Sequence, residues 1–300
     1  MHQLTTVRLL AVLALSLLWA PAAWSCSTCK AGDPTITLLG TEKAFSNRLR
    51  LGLDWQWREE SQGARGSARR LDVREQRRSV GVSYSPSPRW TVALQLPYVS
   101  KTLKLPSLEQ QEATGLGDAD LSLRYVAFRS GPLSGRHLAG LHAGLRLPTA
   151  ERIRDRRGQL LDIDVQPDAR ALAPKLGGWY AYHRYPWFLS TSLIGFAFGD
   201  GDQGFSPGNA VVSSILGQYA LAPRWAVQLG LDSRYAQRNA FDGITDPDSG
   251  GLLVMARSAV AWRIGQELVL NAGLQTPLFD NFNGQQSEDT AVLFALAYDI

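Results

Sequence analysis

The segment NRLRLGLDWQWRE, residues 47–59, places Leu49, Leu51, Leu53, Trp55 and Trp57 at every second position. Arg48, Arg50, Gly52, Asp54, Gln56 and Arg58 fill the alternate ones. Strand side chains point to opposite faces in turn, so this spacing gives one apolar face and one polar or small face. On a helix the same residues would scatter leucine and arginine around the whole circumference, leaving no stripe to bury. The pattern demands a sheet with two unlike faces.

It recurs down the chain. RWTVALQLPY sets Trp90, Val92, Leu94, Leu96 and Tyr98 against Thr91, Ala93 and Gln95, and GDADLSLRYVAF sets Leu121, Leu123 and Tyr125 against Asp118, Asp120, Ser122 and Arg124. AGLHAGLRLP, RWAVQLGLDSRY, QELVLNAGLQT and the closing VLFALAYDI alternate in the same way. The parity slips around 71–84, and 172–198 is apolar on both faces. The spacing predicts about twelve strands, near 47–58, 72–84, 89–100, 118–129, 137–148, 171–183, 187–198, 209–221, 225–237, 252–263, 267–276 and 290–300.

The connections alternate in length. Short ones (85–88, 130–135, 184–186, 222–224, 264–266) carry proline or glycine, and long ones (59–71, 101–117, 149–170, 199–208, 238–251, 277–289) are polar. An even number of amphipathic strands joined by alternating short and long links is the pattern of an outer-membrane barrel. The predicted fold is all-β: a transmembrane antiparallel up-and-down barrel of about 12 strands, with short periplasmic turns and both termini on the periplasmic side. Trp90, Trp187, Trp225 and Trp262, with Tyr98, Tyr125, Tyr219 and Tyr235, fall near strand ends, as interfacial aromatic girdles require. A soluble sandwich or lipocalin-like barrel would show the same period. Strands this long and numerous, with glycines and charges on the polar parity, favour the membrane barrel and a wet lumen.

Residues 1–25 add an address. Arg8 precedes an apolar run, Leu9 to Trp19, followed by Pro21 and the small residues Ala23 and Ser25. This reads as a secretory signal, and the run is shorter than the ~20 residues a spanning helix needs. The domain reading is a signal over 1–25, a periplasmic segment over 26–45 and a barrel over 46–300. The net charge of +4 marks no nucleic-acid binder. The expected partners are outer-membrane lipid, the barrel-assembly machinery, small solutes and a periplasmic protein at the N-terminus.

The segment TGLGDADLSLRYVAF, Thr114 to Phe128, opens a strand with Gly115-x-Gly117-Asp118. With the long alternating region and the PRW turns, it resembles an outer-membrane transporter family whose members are often labelled as associated with meta-pathway phenol degradation. The resemblance in texture covers residues 45–300 and implies a transporter-like barrel without naming a solute. The chain ends in Ile300, where many outer-membrane proteins end in Phe or Trp.

The polar parity assigns Arg48, Arg50, Asp54, Arg58, Asp118, Asp120, Arg124, His142, Arg146, Asp232, Arg234, Arg257 and Arg263 to the lumen as candidate selectivity residues, with Arg74, Arg78, Lys175 and Glu267 beside them. Charged rings bias which ions pass. The arginine excess points to small polar, anionic or aromatic solutes; the bland alternative is that arginines and acids pair across the lumen and stiffen it. A barrel of about twelve strands lies between filled eight-stranded barrels and open porins. The segment before the first strand, or the 149–170 loop, is placed to block it.

An enzyme is not expected. Beyond the leader the histidines are His137, His142 and His183, and no G-x-S-x-G occurs. GDGDQG (199–204) and DGITDPDSG (242–250) lack EF-hand spacing and read as solvated turns. No cofactor is expected. Cys26 and Cys29 form C-x-x-C, with Lys30 where haem attachment needs histidine. A disulfide, a soft-metal relay, a lysine-ligated haem and a lipid anchor remain open, and two thiolates are half of a structural zinc set. The alternative function is a barrel scaffold that anchors a periplasmic partner or metal relay through this segment.

Overall fold

The computed structural model describes residues 46–62, 71–104, 110–130 and 136–300. The leader and the Cys26–Cys29 segment lie outside the described residues. Thirteen strands build the wall: β1 (Arg48–Gln62), β2 (Leu71–Ser87), β3 (Trp90–Lys104), β4 (Gln110–Leu116), β5 (Ala119–Arg129), β6 (His137–Leu147), β7 (Ala173–Arg184), β8 (Trp187–Phe196), β10 (Ala210–Ala222), β11 (Trp225–Ala236), β14 (Gly251–Ile264), β15 (Leu268–Phe282) and β17 (Ala291–Asp299). Strands β4 and β5 are one staff broken at Gly117–Asp118, since both pair with β3. Each neighbour pair is antiparallel, and β1 pairs with both β2 and β17, which closes a barrel of twelve staves. Three short strands, β9 (Phe205–Ser206), β12 (Ala240–Phe241) and β13 (Ile244–Thr245), form a separate small sheet in the long loops. The remaining strand, β16 (Gln286–Glu288), extends the edge of β1.

The alternation is resolved outward-apolar. Leu229 is 68% exposed, whereas Gln228 beside it is 6% exposed. Leu51, Leu53, Val80, Leu94, Leu193 and Ile215 are likewise exposed, while Arg48, Arg50, Gln95 and Asp232 are buried inside. A soluble barrel would do the reverse, because water wets polar surface and expels apolar surface. Closure joins the first and last staves, so the ring of twelve has no open side, a condition for spanning hydrocarbon. At the short-turn end, outward rings pair into a girdle: Trp90 with Tyr125 at 4.4 Å, Trp187 with Tyr219 at 4.7 Å, and Trp225 stacked on Trp262 at 5.1 Å.

Several strands outrun their predicted ends on the long-loop side. β1 continues to Gln62, β3 to Lys104 and β15 to Phe282. Hydrogen-bonded ladders need no apolar side chains once above lipid, so the alternation fades there while the pairing persists. The parity slip around 71–84 has the same cause and misplaces two residues. Arg74 points outward, with its side chain 56% exposed and its Nε 2.7 Å from Glu59, and Arg78 is also exposed. Their neighbours Glu75 and Arg77 point inward and are buried. Glu267 lies exposed in the turn before β15 and does not line the lumen.

Candidate functional site: the lumen and its inner loop

The link between β6 and β7, residues 148–172, does not project into solvent. Its second half folds into the barrel, where Ile163, Val165, Asp168, Ala169 and Ala171 are buried. A tip over 154–160 stays outside: Asp155 accepts the backbone N–H groups of Arg157 and Gln159, and Gly158 turns with φ of 81°. The Gln166 side chain staples the loop to itself, accepting from the N–H of Ile153 and donating to the carbonyls of Ile153 and Leu161.

Asp168 is the pin. Its Oδ2 accepts from Arg77 Nη1 at 3.0 Å and its Oδ1 from Arg77 Nη2 at 3.0 Å, a bidentate fork. The backbone N–H of Asp118 donates to Oδ2 at 2.9 Å. Asp118 replies with its own carboxylate, which accepts from Ala150 N–H at 2.9 Å and Arg170 N–H at 3.1 Å. These bonds clasp both ends of the loop to the break between β4 and β5. The glycines of the Gly115-x-Gly117-Asp118 motif make the clasp sterically feasible. A Cβ on Gly117 would sit 2.3 Å from Asp168 Oδ2, and one on Gly115 would sit 2.5 Å from Glu151 Oε2. The sequence motif is therefore the seat of the loop.

Behind the pin lies an ion network. Glu75 accepts from Arg77 Nε at 2.9 Å and from Arg58 Nη2 at 3.1 Å, with Lys101 Nζ 3.8 Å away. Lys101 also reaches the carbonyl of Asp164 at 3.5 Å. Glu75, Arg77, Lys101 and Asp168 are absent from the sequence-derived set. Lys101 keeps the inward parity of Thr91 to Val99 and lies one residue past the predicted strand end. Arg77 and Asp168 are 91 residues apart, and no local pattern joins them. In the loop, Arg77 holds the Asp168 carboxyl below the usual range against its burial. Burial, with Asp162 beside it, holds Asp164 well above that range.

The thirteen candidates separate by height. Arg58, Asp118 and Asp120 belong to the long-loop half, where Asp120 Oδ1 accepts from Lys175 Nζ at 2.6 Å and Ser122 Oγ at 2.9 Å. Arg146 lies with its guanidinium carbon 5.8 Å from the Phe196 ring centre. Asp232 gathers Ser214 Oγ at 2.6 Å, Gln275 Nε2 at 2.5 Å and Arg257 Nε at 2.9 Å. Arg234 is buried on the same strand. Asp54 accepts from Gln95, the register partner of Asp120; toward the short-turn end, Arg124 stacks 4.0 Å from the Trp179 ring centre, and Arg48 and Arg50 fork onto Asp299. Arg263 sits at the rim. His142 is buried between Arg124 and Gly177 in register, four residues of β5 away from the Asp120 level.

The short-turn half encloses a cavity of about 350 Å³, lined by Arg50, Phe188, Gln218, Gln228, Arg263 and Asn271 among others. Its polar wall is a chain of amides: Asn271 Nδ2 donates to Gln228 at 2.7 Å, and Gln228 Nε2 donates to Gln218 at 2.8 Å. The 242–250 loop is solvated over 242–245, as expected of a turn, but its base is not. Ser249 and Asp246 are buried against Asn239, whose N–H donates to Ser249 Oγ at 2.8 Å.

No family model matches the chain, and no curated protein matches it in sequence. Solved structures do match its fold. The COG4313 outer membrane channel from Pseudomonas putida F1 superposes with a TM-score of 0.72 at 16% identity, over 90% of this chain and 100% of that one. The translocator domain of autotransporter NalP from Neisseria meningitidis gives 0.51 at 12% identity, over 88% and 92%. The β domain of the Bordetella autotransporter BrkA gives 0.52 at 11% identity, over 85% and 100%. The chain has the fold of an outer-membrane barrel.

Proposed function

We propose that this protein is an outer-membrane channel for small polar, anionic or aromatic solutes, narrowed on the outer side by its own 148–172 loop. The observation that carries the reading is the inversion of the wall: an apolar outside and a charged inside on a closed ring. Such a ring is stable with its outside in hydrocarbon and its inside in water. The short-turn end faces the periplasm, since residue 46 enters there beside Ile300 and short turns are the periplasmic ones in this class. A solute from outside then meets the inner loop first and the cavity second.

The test is a planar-bilayer recording on the purified protein, with heat-modifiable migration on an unboiled gel as the check of folding. A folded barrel that conducts in small, discrete steps supports the reading. A chain that stays dispersed in water without detergent, or a folded barrel with no current under any bias, overturns it.

A further inference from the structure

The cavity at the short-turn end is cleared by alanine. Ala295, Asn271, Ala261, Ala226 and Ala220 follow one another in register across β17, β15, β14, β11 and β10, and all of them line it. Apart from Asn271, each carries only a methyl group, which leaves the space of about 350 Å³. The next inward row toward the short-turn rim holds Arg224 and Arg263, where the Arg263 N–H donates to the Arg224 carbonyl at 2.8 Å. The next row the other way, deeper in the lumen, holds Gln228, Gln218 and Phe188 in register. The cavity therefore has an arginine mouth, an alanine throat and an amide floor.

The mouth is unbalanced in charge. Arg50, Arg224 and Arg263 line the cavity, and among the described residues no carboxylate does. Asp299 is the acid beside it, and Arg48 and Arg50 already fork onto its two oxygens. Its charge also acts on Arg263, so three arginines share one carboxylate. Asp54, level with the alanines, accepts from Gln95 on β3, and Glu267 is exposed on the β14–β15 turn. Arg224 has no ion pair among the described residues. Like charges opposite each other on paired strands repel, so Arg224 against Arg263 is unfavourable until an anion lies between them. A carboxylate there accepts guanidinium N–H groups and reverses the sign.

The floor sets the other end of the ligand. Gln228 Nε2 donates to Gln218, whose own Nε2 has no acceptor among the described residues. Arg224 and Gln228 are four residues apart on β11, about 13 Å along the strand. A hydrogen bond of about 3 Å at each end leaves ~7 Å to span. Chloride or phosphate is too short to reach both rows, and a neutral solute leaves the arginines opposed. We propose that this cavity is a binding subsite for a small organic acid, with its carboxylate at Arg224 and Arg263, its body over the alanines, and a hydroxyl or carbonyl oxygen at the Gln218–Gln228 amides. The subsite deepens the proposed channel and rests on that reading only for the route by which the acid arrives.

The probes are 4-hydroxybenzoate, benzoate without the far hydroxyl, 4-hydroxybenzyl alcohol without the charge, and inorganic phosphate without the body. Each is titrated calorimetrically into the full-length protein in detergent, with chloride current recorded in parallel and heat-modifiable migration as the check of folding. 4-Hydroxybenzoate is expected to bind, to outrank the other three by fivefold or more, and to reduce the chloride current reversibly. Ala226→Leu fills the throat and should weaken 4-hydroxybenzoate at least tenfold. Arg224→Gln should weaken both benzoates at least fivefold, and Gln218→Leu should bring 4-hydroxybenzoate down to the level of benzoate. Absence of 4-hydroxybenzoate binding overturns the subsite, as does phosphate binding as tightly, or binding to Ala226→Leu within twofold of the parent. If Ala226→Leu does not fold, Arg224→Gln on the exposed turn decides, and unchanged binding removes the subsite. If neither folds, protection of Arg224 from phenylglyoxal by 4-hydroxybenzoate in the parent protein decides: protection sustains the subsite and its absence removes it. Chloride current without any effect of 4-hydroxybenzoate overturns the subsite and leaves the channel standing. Binding that depends on Arg224 and Ala226, without current under any bias, does the opposite.

Discussion

The two halves of the lumen are built on opposite principles. The long-loop half is cross-braced by full charges: Asp168 on Arg77, Glu75 on Arg77 and Arg58, Lys175 on Asp120. The short-turn half keeps a cavity of about 350 Å³, whose wall carries a ladder of neutral amides beside Arg50 and Arg263. Charged groups out of water hold one geometry, because losing a single partner strands the others. Amides beside a wet cavity can exchange one partner for water at small cost. On the proposed channel reading, the long-loop half is the expected point of restriction and the short-turn half the tolerant one.

The sharpest way to break this contrast is Asp168→Asn. The amide cannot accept two guanidinium N–H groups as a carboxylate does, so Arg77 loses its fork. Breaking a buried pair on one side costs about 3–5 kcal/mol. The expected outcome is a release of the loop: a several-fold rise in single-channel conductance and a lower denaturation midpoint in urea. An unchanged conductance would place the restriction elsewhere.

Gly117→Ala approaches the same clasp sterically. Its methyl group would meet Asp168 Oδ2 at 2.3 Å and Pro97 at 2.9 Å. Overpacking of this kind costs about 1–3 kcal/mol. It should raise conductance less than Asp168→Asn does, and the double variant should add little, because both act on one contact.

Gln228→Ala samples the other half. Gln218 and Asn271 lose a shared partner but face the cavity, so water replaces it. The expected loss is about 1 kcal/mol in urea titration, with conductance unchanged or slightly raised. A loss as large as that of Asp168→Asn would erase the distinction between the halves.

The smallest effect belongs to Asp164→Asn, and its sign differs. Asp164 has a raised folded pKa, so its contribution is present below the unfolded value, near 3.9, and is lost as the pH climbs through the raised one. Asp168 has a lowered pKa; its contribution is present above the unfolded value and is lost as the pH falls through the folded one, below about 4. At neutral pH Asp164→Asn should shift stability by about 1 kcal/mol or less. In Asp168→Asn, loop closure should no longer weaken when the pH is lowered below about 4. Conductance recorded across pH 3–8 checks both.

The sequence alone determined the barrel. Alternation at Leu49–Trp57 or Trp225–Leu231 is forced by a physical boundary, hydrocarbon on one face and water on the other, and such a boundary writes itself into every second residue. It blurs where the boundary ends: Arg74 and Arg78 misled because β2 rises above lipid, where charges sit on both faces. The 149–170 loop was one of two segments placed to block the lumen, but its pin was not legible. Asp168, Arg77 and Asp118 come from a loop, a strand and the break between two strands, far apart in the chain, and Gly115-x-Gly117-Asp118 did not reveal what it seats. Only the folded barrel brings Arg77 and the Asp118 N–H to about 3 Å from the Asp168 carboxylate. Burial then turns separate charges into one interlocked set, a property of the enclosed volume that no stretch of chain carries by itself.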